Sequence, residues 1–171
     1  NGNKFLKKNK LFYTKFGDHS ILMDNSTKYN TLALIGVLEH INPKKLLRDF
    51  KSSKLKYLYI AVPALSLSVF LENVFTKGFP RVLSNGHTHL YTEKSLNYFA
   101  KKNNLEIIGE WWFGTDIPDL FRSILTSANF TNKEIYTNEL NKIFQNTLDE
   151  LQSVLDKNKT CSEIHMIFKK K

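Results

Sequence analysis

Residues 31–41, Thr-Leu-Ala-Leu-Ile-Gly-Val-Leu-Glu-His-Ile, constrain the fold more than any other stretch. Leu32 to Ile35 is an unbroken apolar run. It predicts a strand over 31–38 buried on both faces, as in a parallel sheet with helices on either side. Such a strand belongs at the centre of a sheet, here between strands predicted at 11–16 and 55–62. Gly36 lets the backbone pass close to a neighbour. Glu39 and His40 follow at once, and Asn42-Pro43 opens the next segment. In open α/β sheets ligands sit beyond the carboxyl ends of the strands. A buried strand that ends in a glycine and two ionisable groups is therefore the place to look for a site.

The rest of the chain repeats the alternation. Lys56 to Val62 is a second apolar strand, stopped by Pro63. Pro43 suits the first turn of a helix, where its missing N–H costs nothing, and Leu46, Leu47 and Phe50 give that helix a buried stripe. A helix is expected over 66–77, with Gly78 as its stop. Thr92-x-x-Ser95 is an N-cap signature for a helix over 93–103. Leu105 to Phe113 reads as a strand closed by Gly114. Thr115 or Asp116 caps a helix over 117–127. A long amphipathic helix follows over 132–157, then a terminal strand over 162–168 in which Ile164, Met166 and Phe168 alternate with Glu163, His165 and Ile167. Strands alternating with helices argue for an α/β layered fold in a single domain spanning 1–171.

Composition sets bounds. The 171 residues carry a formal net charge of +9. The lysines are dispersed, so the charge reads as a solvated basic surface and does not single out a nucleic-acid site. One cysteine, Cys161, excludes an intramolecular disulfide and a cysteine-rich zinc site. Asn1 to Lys10 lacks the apolar core of a signal peptide. The apolar stretch 57–71 is too short to span a membrane and contains Pro63. A cytoplasmic protein without a membrane segment is expected.

Three segments in order and spacing carry a resemblance: Val37-Leu38-Glu39-His40-Ile41 after the first apolar strand, Val62-Pro63 at the end of the second, and His89-Leu90-Tyr91-Thr92 running on to Ser95-Leu96. From about Phe12 onward the chain resembles the C-terminal half of a class I S-adenosylmethionine-dependent methyltransferase acting on small molecules. The resemblance implies a Rossmann-like, mainly parallel sheet with helices on both faces and an antiparallel C-terminal strand. It implies S-adenosylmethionine as cofactor and a small hydroxylated or amino-bearing acceptor.

The resemblance also suggests roles. Asp18 would accept a hydrogen bond from the adenine amino group, with His19 beside it; a Gly-Asp turn explains Asp18 equally well. Gly36, Val37 and Leu38 would lie under the methionine and ribose of the cofactor. His40 is the leading candidate for a base or acceptor-orienting group, since imidazole titrates near neutrality; the competing role is a histidine tying loops together. His87 is the second candidate. His89, Tyr91, Trp111 and Asp116 are candidates for the acceptor pocket, although adjacent Trp111 and Trp112 must point to opposite faces of a strand. Glu39 reads as structural, capping the next helix or pairing with Lys44. His87 and His89 stand two apart, but no carboxylate or cysteine ligand to go with them is evident, so no metal is assigned.

The glycine-rich loop and the acidic residue of such enzymes' N-terminal βα units are absent from this sequence, and Asn30 stands where related sequences commonly have aspartate. The chain is therefore expected to be part of a longer enzyme and inactive alone, with an uncovered sheet edge open to self-association. The alternative is a non-catalytic interaction domain that keeps the fold.

Overall fold

The computed structural model describes residues 29–76, 82–83, 86–130 and 134–171. Their order is β1 (Thr31–Ile35), a 3-10 turn (Leu38–His40), α1 (Pro43–Ser52), β2 (Tyr57–Pro63), α2 (Leu67–Val74), α3 (Glu93–Lys102), β3 (Leu105–Phe113), α4 (Asp116–Phe130), α5 (Glu134–Lys157) and β4 (Glu163–Lys170). The strands form one sheet in the order β1-β2-β4-β3. β1 and β2 pair in parallel, and β4 runs antiparallel to both β2 and β3. Three strands thus share a direction, and the C-terminal strand inserts reversed between two of them. The fold is α/β with the mixed sheet that the resemblance implies. The strand expected at 11–16 and the candidates Asp18 and His19 lie outside the described residues.

The core follows from period-two alternation. Ile164, Met166 and Phe168 of β4 face Val62, Ile60 and Leu58 of β2 across the ladder, and Leu34 and Leu32 of β1 continue the row. α1 covers this face with Leu46, Leu47 and Phe50, and α3 with Leu96 and Ala100. Burying a side chain of this size contributes about 1.5–3 kcal/mol. Both helices start at side-chain caps. Asn42 accepts from the Lys44 amide at 3.0 Å, one residue before Pro43. Thr92 and Ser95 form a reciprocal capping box.

Two expectations need correcting. β1 is buried on one face only: Leu32 and Leu34 are 5% and 3% exposed, whereas Ile35 is 64% exposed. An apolar run carries no information on which face helices will cover, and α1 and α3 cover the leucine face. Among the described residues β1 pairs with β2 alone, and the strand expected on its other side, at 11–16, lies outside them. Nor does the strand continue to residue 38. Gly36, at φ +62°, turns the chain after Ile35, a conformation that costs a residue with a side chain roughly 1–2 kcal/mol.

β3 contains a bulge between Ile107 and Gly109. The extra residue slips the register by one, which exchanges the faces of everything after it. Trp112 consequently pairs with Ile164 on the core side, and Trp111 pairs with His165 on the opposite side.

Candidate active site

The carboxyl end of β1 and the segment before α3 meet at one corner of the sheet. Leaving β1, Gly36 donates its amide to the Ala61 carbonyl at 3.1 Å, which holds the turn against β2. The 3-10 turn then presents Glu39 and His40. Residues 86–91 are laced onto this turn. The Thr88 amide and hydroxyl donate to the Glu39 carbonyl at 2.9 and 2.6 Å. The Tyr91 hydroxyl donates to the Leu38 carbonyl at 3.3 Å. Tyr91 also pairs with the end of β2, its amide donating to Pro63 and its carbonyl accepting from Leu65. These bonds bring His87 beside His40, with ring centroids 4.8 Å apart.

The polar geometry defines the tautomer of His40. Its Nδ1 lies 3.2 Å from the Gly86 carbonyl. A carbonyl only accepts, so Nδ1 carries the hydrogen in the neutral ring and Nε2 keeps a lone pair. Nε2 faces Glu39 Oε1 at 3.8 Å. Glu39 is 2% exposed, and its Oε2 has no hydrogen-bond partner among the described residues. His87 Nδ1 is likewise buried without a partner there. A cleft of about 490 Å³ opens alongside, lined by His40, Ile41, Asn42, Pro43, Thr88 and His89 among others. Burial first, and the nearby Glu39 carboxylate second, push the Tyr91 phenol up to about 12. It therefore stays a neutral donor at any physiological pH.

His89 lines the cleft from the segment before α3. Thr88 commits its one hydroxyl hydrogen to the Glu39 carbonyl, so His89 Nδ1, 2.8 Å from that oxygen, is the donor. Its Nε2 keeps the lone pair in the neutral ring. Gly36 and Val37 are exposed at the end of β1, while Leu38 is wholly buried and offers the surroundings only its backbone.

Trp111 and Asp116 do not join this corner. Trp111 lies on β3, at the far side of the sheet, where it stacks on Tyr59 with centroids 5.7 Å apart. Asp116 is fully buried. Its Oδ1 accepts from the Ser66 hydroxyl and from the amide and hydroxyl of Ser68, at 2.7, 3.0 and 2.9 Å. The sequence suggests Asp116 as the cap of the helix it begins. It instead caps α2, whose own N-cap residue Ser66 makes no side-chain capping bond. Gly114 is required here, because a Cβ would come within 2.5–2.6 Å of Ser162 and Asp116.

Glu39 is the residue that sequence reasoning undervalued. It neither caps α1, which Asn42 does, nor stands apart from the histidines. A carboxylate directly after a strand's end is a weak signal without the loop that folds onto it.

No protein-family model matches the sequence, and no curated protein is significantly similar to it. Among solved structures, one similar chain is a crystal structure from Galdieria sulphuraria, provisionally assigned as a sarcosine dimethylglycine methyltransferase. It is 12% identical, with a TM-score of 0.48, and the match covers 98% of the present chain and 64% of that one. The present chain thus spans less than two thirds of its length.

Proposed function

We propose that this chain is part of an S-adenosylmethionine-dependent methyltransferase acting on a small hydroxyl- or amine-bearing molecule. One observation carries the reading. At the carboxyl end of β1, where α/β sheets bind ligands, a turn and a loop bring Glu39, His40, His87 and His89 together beside an open cleft. The reversed β4 between β2 and β3 agrees with the sheet that the three sequence segments imply. The glycine-rich cofactor loop is not in this sequence, so the reading needs it from polypeptide beyond these residues.

Methyl transfer is an in-line displacement, and positioning dominates its catalysis. In this reading Gly36 and Val37 border the cofactor. The acceptor enters the cleft beside His40 and His89. The bound cofactor would supply an electrophilic methyl group with its sulfur as leaving group, so that a hydroxyl acceptor's oxygen electron pair would form the new C–O bond while the C–S pair would stay on sulfur. The hydroxyl proton passes to His40 Nε2, and Glu39 stabilises the imidazolium that results. An amine acceptor attacks through its own lone pair and loses its proton afterwards.

Transfer of labelled methyl from S-adenosylmethionine to a panel of small hydroxylated and amino acceptors tests this with the intact gene product. His40→Ala should lower turnover about 10²–10⁴-fold for a hydroxyl acceptor, the usual scale of general base catalysis, with cofactor affinity little changed. Unchanged turnover in a folded variant removes His40 from the reaction. Equal losses of turnover, affinity and melting temperature make it a structural tie.

A further inference from the structure

We infer that Glu39, His40 and His87 form a binding site for one divalent transition-metal ion of the zinc class. One ligand atom from each residue lies within 4.8 Å of the others. Two imidazoles and a carboxylate are a ligand set suited to zinc and its neighbours in the first transition row. Three features of the corner point to a cation rather than to an accidental cluster. The Glu39 side chain is almost wholly buried, yet its Oε2 has no partner among the described residues. His87 Nδ1 is buried and unpartnered as well. And His40 presents Nε2, the nitrogen left with a lone pair by the Nδ1 bond to Gly86, toward Glu39 Oε1 at 3.8 Å. Two electron-pair donors facing each other repel unless a proton or a metal cation lies between them, and a cation would also give the unpartnered Glu39 Oε2 and His87 Nδ1 a partner.

The outer contacts are those of a metal site. A ligating histidine commonly donates its other N–H to a backbone carbonyl, which orients the ring, and Gly86 does this for His40. The Glu39 backbone is fixed by two bonds from Thr88. Bond lengths of 2.0–2.2 Å put tetrahedral ligand atoms roughly 3.4 Å apart. The present spread of up to 4.8 Å must therefore close by about 1.4 Å, and His40 is exposed and His87 half-buried, which leaves both rings room to adjust. Three protein ligands leave at least one position open, and the cleft of about 490 Å³ borders His40. Metal on His40 Nε2 and proton transfer to it exclude each other, so if the methyl-transfer reading also holds, His40 serves in the metal-bound protein as a ligand and not as the base, and an acceptor oxygen in the open position loses its proton more readily there. The site itself does not depend on that reading.

The test is metal binding, read without any enzymatic assay. Untagged, metal-free protein is titrated with Co²⁺, followed by its visible absorption, and Zn²⁺ is then used to displace it. One equivalent should bind at micromolar or tighter affinity with a tetrahedral or five-coordinate spectrum. Second-sphere changes alone typically cost 10–100-fold in metal affinity, so His87→Ala and Glu39→Gln should each weaken binding at least about tenfold. His165→Ala, on the opposite sheet face, should leave it unchanged. His87 is the primary variant because it is partly exposed and tolerates truncation; circular dichroism checks its fold. The inference is overturned if the wild type binds no ion above the His87→Ala level, or if His165→Ala removes the binding. Tight binding without methyl transfer would retain the site and sink the proposed reaction; the reverse result would do the opposite.

Discussion

Tyr91 shows how one residue ties the corner together and what that costs at alkaline pH. Its phenol is raised from 10.0 to about 12, by burial and then by Glu39. The unfolded chain releases this proton near pH 10, whereas the folded protein keeps it. Below pH 10 the contribution to stability is complete, and it is lost as pH rises through about 12. The full loss is about 2–3 kcal/mol, at 1.36 kcal/mol per pH unit. Tyr91→Phe should therefore flatten the decline in stability between pH 10 and 12 relative to the wild type. At neutral pH it should cost only about 1 kcal/mol, for the bond to the Leu38 carbonyl. Chemical denaturation at pH 7, 10 and 11.5 checks this; parallel profiles for the two proteins would show that Tyr91 is not the titrating group. Cys161, also pushed up to about 12 by burial and then by Asp156, is present in both proteins and cancels.

Among the elements, α2 depends most on a distant residue. Asp116, from the start of α4, accepts from the Ser66 hydroxyl and the Ser68 amide at the start of α2, and the single hydroxyl hydrogen of Ser68 lies within reach of both Asp116 Oδ1 and Asp119 Oδ2, at 2.9 and 2.8 Å. Asp116→Ala leaves two buried donors, the Ser66 hydroxyl and the Ser68 amide, unsatisfied at about 1–3 kcal/mol each, while the Ser68 hydroxyl keeps Asp119. A total loss on the order of 3 kcal/mol is expected, with faster amide exchange in residues 67–74 before the rest of the sheet. Loss confined to α4 would mean that Asp116 serves its own helix. Much of this level was legible in the sequence. Pro43, the Thr92/Ser95 box and the alternation of β4 are local signals, and each formed the expected element. The bulge in β3 was not legible, because Ile108 is as apolar as its neighbours and only pairing with β4 makes it the extra residue. The register slip then decided which tryptophan faces the core.

In the whole molecule, the site depends on long-range closure. His40 was legible as a candidate because it follows a strand's end. Glu39 stood beside it in the sequence but read as structural, and that His87 joins both was not legible, since only the folding of residues 86–91 onto the 3-10 turn brings it there. The same closure joins β1, β2 and the start of α3 into a single corner of the sheet. On the opposite sheet face, Trp111 is 42% exposed and packs with Tyr59 and His165. No helix among the described residues is long and apolar enough to cross a membrane.

We propose that the corner formed by residues 36–40 and 86–91 binds the cofactor and acceptor of a methyl transfer. Hydrogen exchange of the intact gene product, with and without S-adenosylhomocysteine, addresses it most directly. The product should slow exchange in peptides covering 36–40 and, more weakly, 86–91, and leave β3 and the exposed face of β4 unchanged. Protection confined to β3 and β4, or none at saturating ligand, would contradict the claim.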